Sequence, residues 1–278
     1  YLCTDGKPIG VSDSYQGDNT LTQEIANRDR RLYQTIQCEY LPYKYADGTV
    51  TLPNNPPVIA SNLPTGFNIM KFHSPDPEQY TLAYNAHVQW FLYRYAEVLL
   101  IYAEAQAELG KITQEDIDIT INKLRNRAGV APLDMNNITP TPAQYKMDYG
   151  YSLSDLLYEI RRERLVELYA EGFRWSDICR WRAGKLCETP LSIYGITVSE
   201  EVRKQYDAVY GSSASPHMFD IDGGNVATAV YNGKRYVKLY QTMTDGVGYR
   251  WDDKLYLKPL PTEQLSLNPN LEQNPGWD

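Results

Sequence analysis

The chain has 278 residues, enough for one large domain or two small ones around a real hydrophobic core. Its 35 acidic side chains against 27 basic ones leave a net charge of -8, which removes the electrostatic basis for general nucleic-acid binding. No run approaches the ~18 apolar residues that cross a bilayer, and tyrosine dominates the aromatic content, with 24 residues against 5 phenylalanines and 5 tryptophans.

Residues 1 to about 80 carry turn signals throughout, from Asp5-Gly6 through Asn54-Asn55-Pro56-Pro57 to Ser74-Pro75-Asp76-Pro77. Inside this stretch Leu21, Ile25 and Leu32 predict one helix from Thr20 to about Arg31. From His87 to Leu109 two apolar stripes run at helical spacing. Leu92, Ala96, Leu99, Ala103 and Ala107 form one, and Phe91, Tyr95, Val98 and Tyr102 form the other, so neighbours are expected on two sides. Gly110 supplies a stop, Thr113 opens a second helix ending at Gly129, and the pair reads as a helical hairpin of the helical-repeat kind. A loop at 130–151 carries Tyr145, Tyr149 and Tyr151. Ser152 or Ser154 caps a helix through Tyr169, and a shorter helix follows from Arg174 to Ala183. A helix is expected at Glu200 to Tyr210. Lys234 to Gln241 alternates as a strand, with Lys254 to Lys258 as its expected partner in a small β-hairpin, and turns complete the chain.

Glu159, Arg162, Glu163, Arg164 and Glu167 crowd one helix. Paired carboxylates there suit a hydrolase, and arginines suit an anion site. The plainer reading is an ion-pair network joining this helix to the face of Arg94, Glu97 and Glu104, because carboxylates held by arginine stay ionised while a general acid needs a raised pKa. Arg94, Glu97, Arg161, Arg164 and Asp177 are therefore assigned to structure. Asp220 to Asn225 offers oxygen donors for calcium but departs from the EF-hand loop, with Tyr231 where the bidentate glutamate belongs, so a turn is the plainer reading. Cys179 and Cys187 either bridge or stay free, no CxxC or HExxH arrangement occurs, and neither a metal site nor a cofactor is expected. The loop tyrosines Tyr40, Tyr43 and Tyr45, then Tyr149 and Tyr151, are the candidate sugar contacts, since a pyranose packs its C–H face on an aromatic ring. The plainer reading of any one of them is an anchor for its own loop.

Three separated segments resemble the SusD/RagB family: Arg94-Tyr95-Ala96-Glu97-Val98-Leu99-Leu100, the run from Ile160 to Leu168 with Glu171-Gly172-Phe173-Arg174-Trp175-Ser176-Asp177, and Leu267-Asn268-Pro269-Asn270-Leu271-Glu272-Gln273-Asn274-Pro275-Gly276-Trp277. The resemblance implies a mainly α fold, a TPR-like helical-repeat superhelix with long irregular loops. It implies one domain in which 1–85 is a loop-rich segment and 86–278 the helical scaffold, with the amino-terminal half of a longer protein absent. It also implies a non-enzymatic, cell-surface glycan-binding lipoprotein of Bacteroidetes. Such a protein sits on the extracellular face of the outer membrane, through a lipid anchor in the missing amino-terminal part, and hands oligosaccharide or polysaccharide to a SusC-like TonB-dependent transporter for nutrient uptake. A glycoside hydrolase with paired carboxylates and a transporter lid that binds no sugar are the alternatives.

Overall fold

The computed structural model describes residues 1–36, 43–44, 50–51, 65–67, 69–72, 74, 79, 87, 91–188, 193–211, 227–239 and 250–277. They divide into two compact units. The larger comprises Tyr1–Lys146, Leu153–Ala170 and Tyr194–Gln241, and the smaller Met147–Ser152, Glu171–Ile193 and Thr242–Asp278.

In the larger unit the single helix expected from Thr20 to Arg31 is two. The Thr20 hydroxyl accepts from the Gln23 N–H to start α1 (Leu21–Ile25). Asn27 then takes φ 56°, a conformation asparagine tolerates, and the Asp29 carboxylate accepts from the Arg31 N–H to start α2 (Arg30–Thr35). Leu21, Ile25, Leu32 and Ile36 from both helices share one apolar cluster, so the break costs no burial. Two short antiparallel strands follow, β1 (Tyr43–Lys44) and β2 (Val50–Thr51).

Helix α3 (Tyr95–Glu108) begins later than the sequence pattern suggests, and Gly110 leaves it at φ 65°. Ala96, Leu99, Leu100 and Ala103 are buried, and the helix packs on α6 (Asp155–Glu167). The second stripe differs from expectation: Phe91, Tyr95, Val98 and Tyr102 are exposed. Among the described residues, neighbours cover α3 on one side. The predicted second helix is also divided, into α4 (Gln114–Ile119) and α5 (Ile121–Ala128), at Thr120, whose hydroxyl donates to the Asp116 carbonyl at 2.5 Å. Thr113 and Asp116 cap α4 reciprocally, Gly129 ends α5 at φ 68°, and Ser154 caps α6.

The sheet has three strands in the order β3-β5-β4, all antiparallel: β3 (Tyr194–Thr197), β4 (Thr228–Tyr231) and β5 (Lys234–Lys238). Asn232 and Gly233, both at positive φ, make the two-residue turn of the β4–β5 hairpin. Helix α8 (Glu200–Tyr210) lies where expected, with Ser199 as its cap. The expected pairing of Lys254–Lys258 with this strand does not form. Asp252 accepts from the Lys254 N–H and winds Asp253–Tyr256 into a 3-10 turn of the smaller unit instead.

That unit holds α7 (Arg174–Arg180), a 3-10 turn at Gly184–Cys187 and α9 (Thr262–Leu267). The terminal segment is pinned by its own side chains. The Gln273 amide exchanges hydrogen bonds with Leu260, Asn274 donates to the Lys258 carbonyl, and the Trp277 indole donates to the carbonyls of Lys254 and Leu257. The described part of the chain is thus mainly helical with a small sheet, as the sequence implies.

Candidate functional site

The densest charge in the chain is a closed lattice. On α6, Glu159, Glu163 and Glu167 project from successive turns. Arg125 of α5 reaches Glu163 at 3.0 Å and Glu159 at 3.1 Å, and Arg31 of α2 reaches Glu163 at 2.6 Å and Glu167 at 2.9 Å. Arg94 and Arg127 add contacts to Glu167 at 2.6 and 2.5 Å, and Arg162 holds Glu159 at 2.7 Å. Arg161 reaches Glu104 and Glu108 of α3 at 3.8 and 2.8 Å. The ion-pair reading of these residues therefore holds in the structure. Burial alone would push the Glu167 carboxyl up, but hydrogen bonds from Arg94, Arg127 and Arg31 outweigh it and hold the group at about 2. A carboxyl in that state is no proton donor near neutral pH. Among the described residues, no three His, Cys, Asp or Glu side chains are placed to hold a metal ion.

Cys3, Cys179 and Cys187 are free thiols. Burial pushes the Cys179 and Cys187 thiols above their ordinary value, which suppresses the nucleophilic thiolate.

The smaller unit presents a different chemistry, an aromatic cluster built on α7 and the two 3-10 turns. Trp175, in the first turn of α7, is 46% exposed, and its ring centroid lies 5.4 Å from that of Trp251. Trp251 in turn lies 4.9 Å from Tyr256, and the Arg182 guanidinium sits 4.8 Å over the Tyr256 ring. Position 184 must be small, since the Trp251 indole occupies the place of a side chain there. The Gly184 N–H donates to the Tyr256 hydroxyl at 2.9 Å and ties the two 3-10 turns together. Trp251 is held from its backbone, where its N–H donates to Glu188 at 3.0 Å, while its buried indole Nε1 meets no hydrogen-bond acceptor among the described residues.

At the other end of α7, Trp181 packs edge-on against Tyr149 with centroids 6.0 Å apart, and Tyr149 lies 6.2 Å from Tyr151. Two of the sequence candidates thus come together in this unit. Tyr149 is only 3% exposed and supports the ring beside it. Tyr151 is 43% exposed, and its hydroxyl donates to the Trp181 carbonyl at 2.7 Å, so its ring is held with one side toward solvent. Tyr43 lies on β1, its side chain outside the described residues, as are Tyr40, Tyr45 and the Asp220–Asn225 segment. Trp175 and Tyr256 were not singled out by sequence. Trp175 lies inside a family-like helical run, Tyr256 reads as a strand residue, and their meeting through Trp251 leaves no periodic trace.

Rings of this kind, partly exposed and fixed by backbone hydrogen bonds, take the C–H face of a sugar at small ordering cost. Arg182 and Glu188 place a guanidinium and a carboxylate beside these rings.

Comparison with known proteins agrees with this architecture. Residues 1–277 match the SusD family. SusD-like protein P38 of Formosa agariphila is 35% identical over 106 residues, covering 38% of this chain and 19% of that protein. SusD-like protein P2 of the same organism is 36% identical over 91 residues, covering 33% and 16%. The fold of the whole chain overlies a SusD-like protein of Bacteroides fragilis NCTC 9343 with a TM-score of 0.59 at 21% identity, spanning 45% of that chain. The chain thus spans less than half the length of the solved structure it matches, and the matched segments cover less than a fifth of each curated relative.

Proposed function

The chain belongs to the SusD family, and from that membership we propose that it is part of a glycan-binding protein of the outer cell surface in nutrient uptake. In this reading the protein captures an oligosaccharide or polysaccharide without chemical change to it and passes it to a SusC-like TonB-dependent transporter. It is held to the outer membrane by a lipid anchor. The observation that carries the reading is the exposed Trp175 ring backed by Trp251 and Tyr256. Tyr151, braced by Tyr149 at the other end of α7, is proposed as a second contact, and the loop of Tyr40, Tyr43 and Tyr45 as a further one.

Calorimetry of the chain against a panel of neutral oligosaccharides tests this. Binding that weakens about tenfold in Trp175→Ala, equivalent to ~1.4 kcal/mol, and again in Tyr151→Ala is the expected result. Heat of binding unchanged in both variants removes the smaller unit as the site, and no heat with any glycan favours a lid that contacts only the transporter. Release of reducing ends that vanishes in Glu163→Gln would replace the binding reading with the hydrolase.

A further inference from the structure

The sheet of the larger unit carries a second aromatic surface that the reading above leaves unused. Strand residues alternate between faces, and the register puts Tyr231 and Lys234 opposite one another on β4 and β5, and Tyr194 opposite Lys238 on β3 and β5. Lys234, Tyr236 and Lys238 follow at two-residue intervals along β5 and therefore share this face. The Tyr194 ring stacks on Tyr236 with centroids 5.6 Å apart and planes 17° from parallel, and its centroid lies 5.5 Å from that of Tyr231, tilted by 45°. All three rings are half-buried, while Val237, on the opposite face, is fully buried toward the core.

The polar groups on the face are unequal. Lys234 is paired with Asp18, so its charge is already matched. Lys238 is half-buried, and among the described residues its ammonium has no acidic partner and no hydrogen-bond acceptor. The hydroxyls of Tyr194 and Tyr231 likewise make no protein hydrogen bond among the described residues. A strand core alone would not need these features. Phenylalanine would stack as well without a hydroxyl to satisfy, and a lysine with no acidic partner among the described residues adds no ion pair to the sheet. Together they make a platform with two hydroxyls and, at its edge, one cation that are unpaired among the described residues.

We propose that this face is a second saccharide subsite, in which the Tyr194–Tyr231–Tyr236 surface takes a pyranose ring and Lys238 pairs with an anionic substituent on it. The chemistry shared by carboxylated and sulfated sugars is what Lys238 recognises: a compact negative charge on a ring otherwise bound by C–H contact. The inference rests on the reading of the protein as a glycan binder and adds a class of ligand to it. Recognition of this kind is local and is therefore compatible with a net charge of -8.

The test uses the whole chain and three probes: an oligogalacturonate hexamer for carboxylate, a sulfated carrageenan oligosaccharide for sulfate, and maltohexaose as the neutral control. Expected are binding of at least one acidic probe, a fivefold or greater loss of that affinity in Lys238→Met, and no change in binding of any neutral ligand. The double variant Tyr194→Phe/Tyr231→Phe keeps the stack and removes the hydroxyls, and it is expected to weaken the same probe severalfold with an unchanged melting temperature. The stronger of the two acidic probes identifies the substituent. Acidic binding that is insensitive to Lys238→Met, or neutral glycans bound through Trp175 with neither acidic probe bound, overturns the subsite and leaves the general reading standing. No binding of any glycan overturns both.

Discussion

The indole of Trp251 lies directly on Gly184: a Cβ built at that glycine would stand 2.2 Å from Cγ of the ring. The contact is a consequence of sequence in the narrow sense that every other residue carries a Cβ. Gly184→Ala is expected to push Trp251 out of its contacts with Trp175 and Tyr256. Overpacking of this kind costs about 1–3 kcal/mol, read as a lower urea midpoint, together with a red-shifted tryptophan emission and weaker glycan binding. A variant with an unchanged midpoint and emission spectrum would show that the ring sits elsewhere in solution.

The lattice around α6 makes a contrast between two arginines. Arg125 is 1% exposed and bridges Glu159 and Glu163, whereas the Arg127 side chain is largely in solvent as it reaches Glu167. Arg125→Met leaves the buried Glu159 with Arg162 and Glu163 with Arg31, and its cost is expected at the low end of the ~3–5 kcal/mol for a buried charge that loses its partner, about 3 kcal/mol. Arg127→Met is expected to cost less than about 1 kcal/mol, since Arg31 and Arg94 still hold Glu167. Equal losses in chemical denaturation would contradict the assignment of Arg125 as the central cation.

Acid is expected to unfold the larger unit through Glu167. Its folded pKa of about 2 lies below the ordinary 4.5, so the unfolded chain takes up the proton first as pH falls. The stabilisation is complete above pH 4.5 and is lost between 4.5 and 2, on the order of 3 kcal/mol from this group. Denaturant midpoints measured from pH 6 down to 2.5 check this, and Glu167→Gln should be less stable at pH 6 with a flatter profile below 4.5.

Thr113 and Asp116 close a reciprocal cap, and the Tyr102 hydroxyl of α3 donates to the same carboxylate at 2.8 Å. Thr113→Ala removes one partner and is expected to cost about 1 kcal/mol. Amide exchange that accelerates in α4 and stays unchanged in α7 would locate the effect.

The helices were legible where an apolar stripe and a capping residue coincided, as with Ser154 before α6 and Gly110 after α3. Boundaries failed where a single side chain redirected the backbone: Asn27 and Asp29 divide the first helix, and Asp252 turns a strand-like stretch into 3-10. The outer stripe of α3 reads as buried because hydrophobic spacing reports which faces can be covered, and cannot say what covers them. The aromatic surface was half visible. Tyr149 and Tyr151 stood out by lying in a loop, while Trp175 and Trp251 meet only through tertiary folding, and composition alone treated Tyr194, Tyr231 and Tyr236 as ordinary strand or loop residues.

The arginine–glutamate lattice also bears on how this chain can change over generations. Glu163 answers to Arg31 and Arg125 at once, and Glu167 to three arginines, so no single replacement there leaves a neutral remainder. Replacing either carboxylate leaves several cations unmatched, so a change there calls for changes at its partners, whereas Arg127 can be exchanged alone. Trp175 and Lys238 lie outside this lattice. Replacements there can therefore accumulate one at a time while the buried lattice stays as it is.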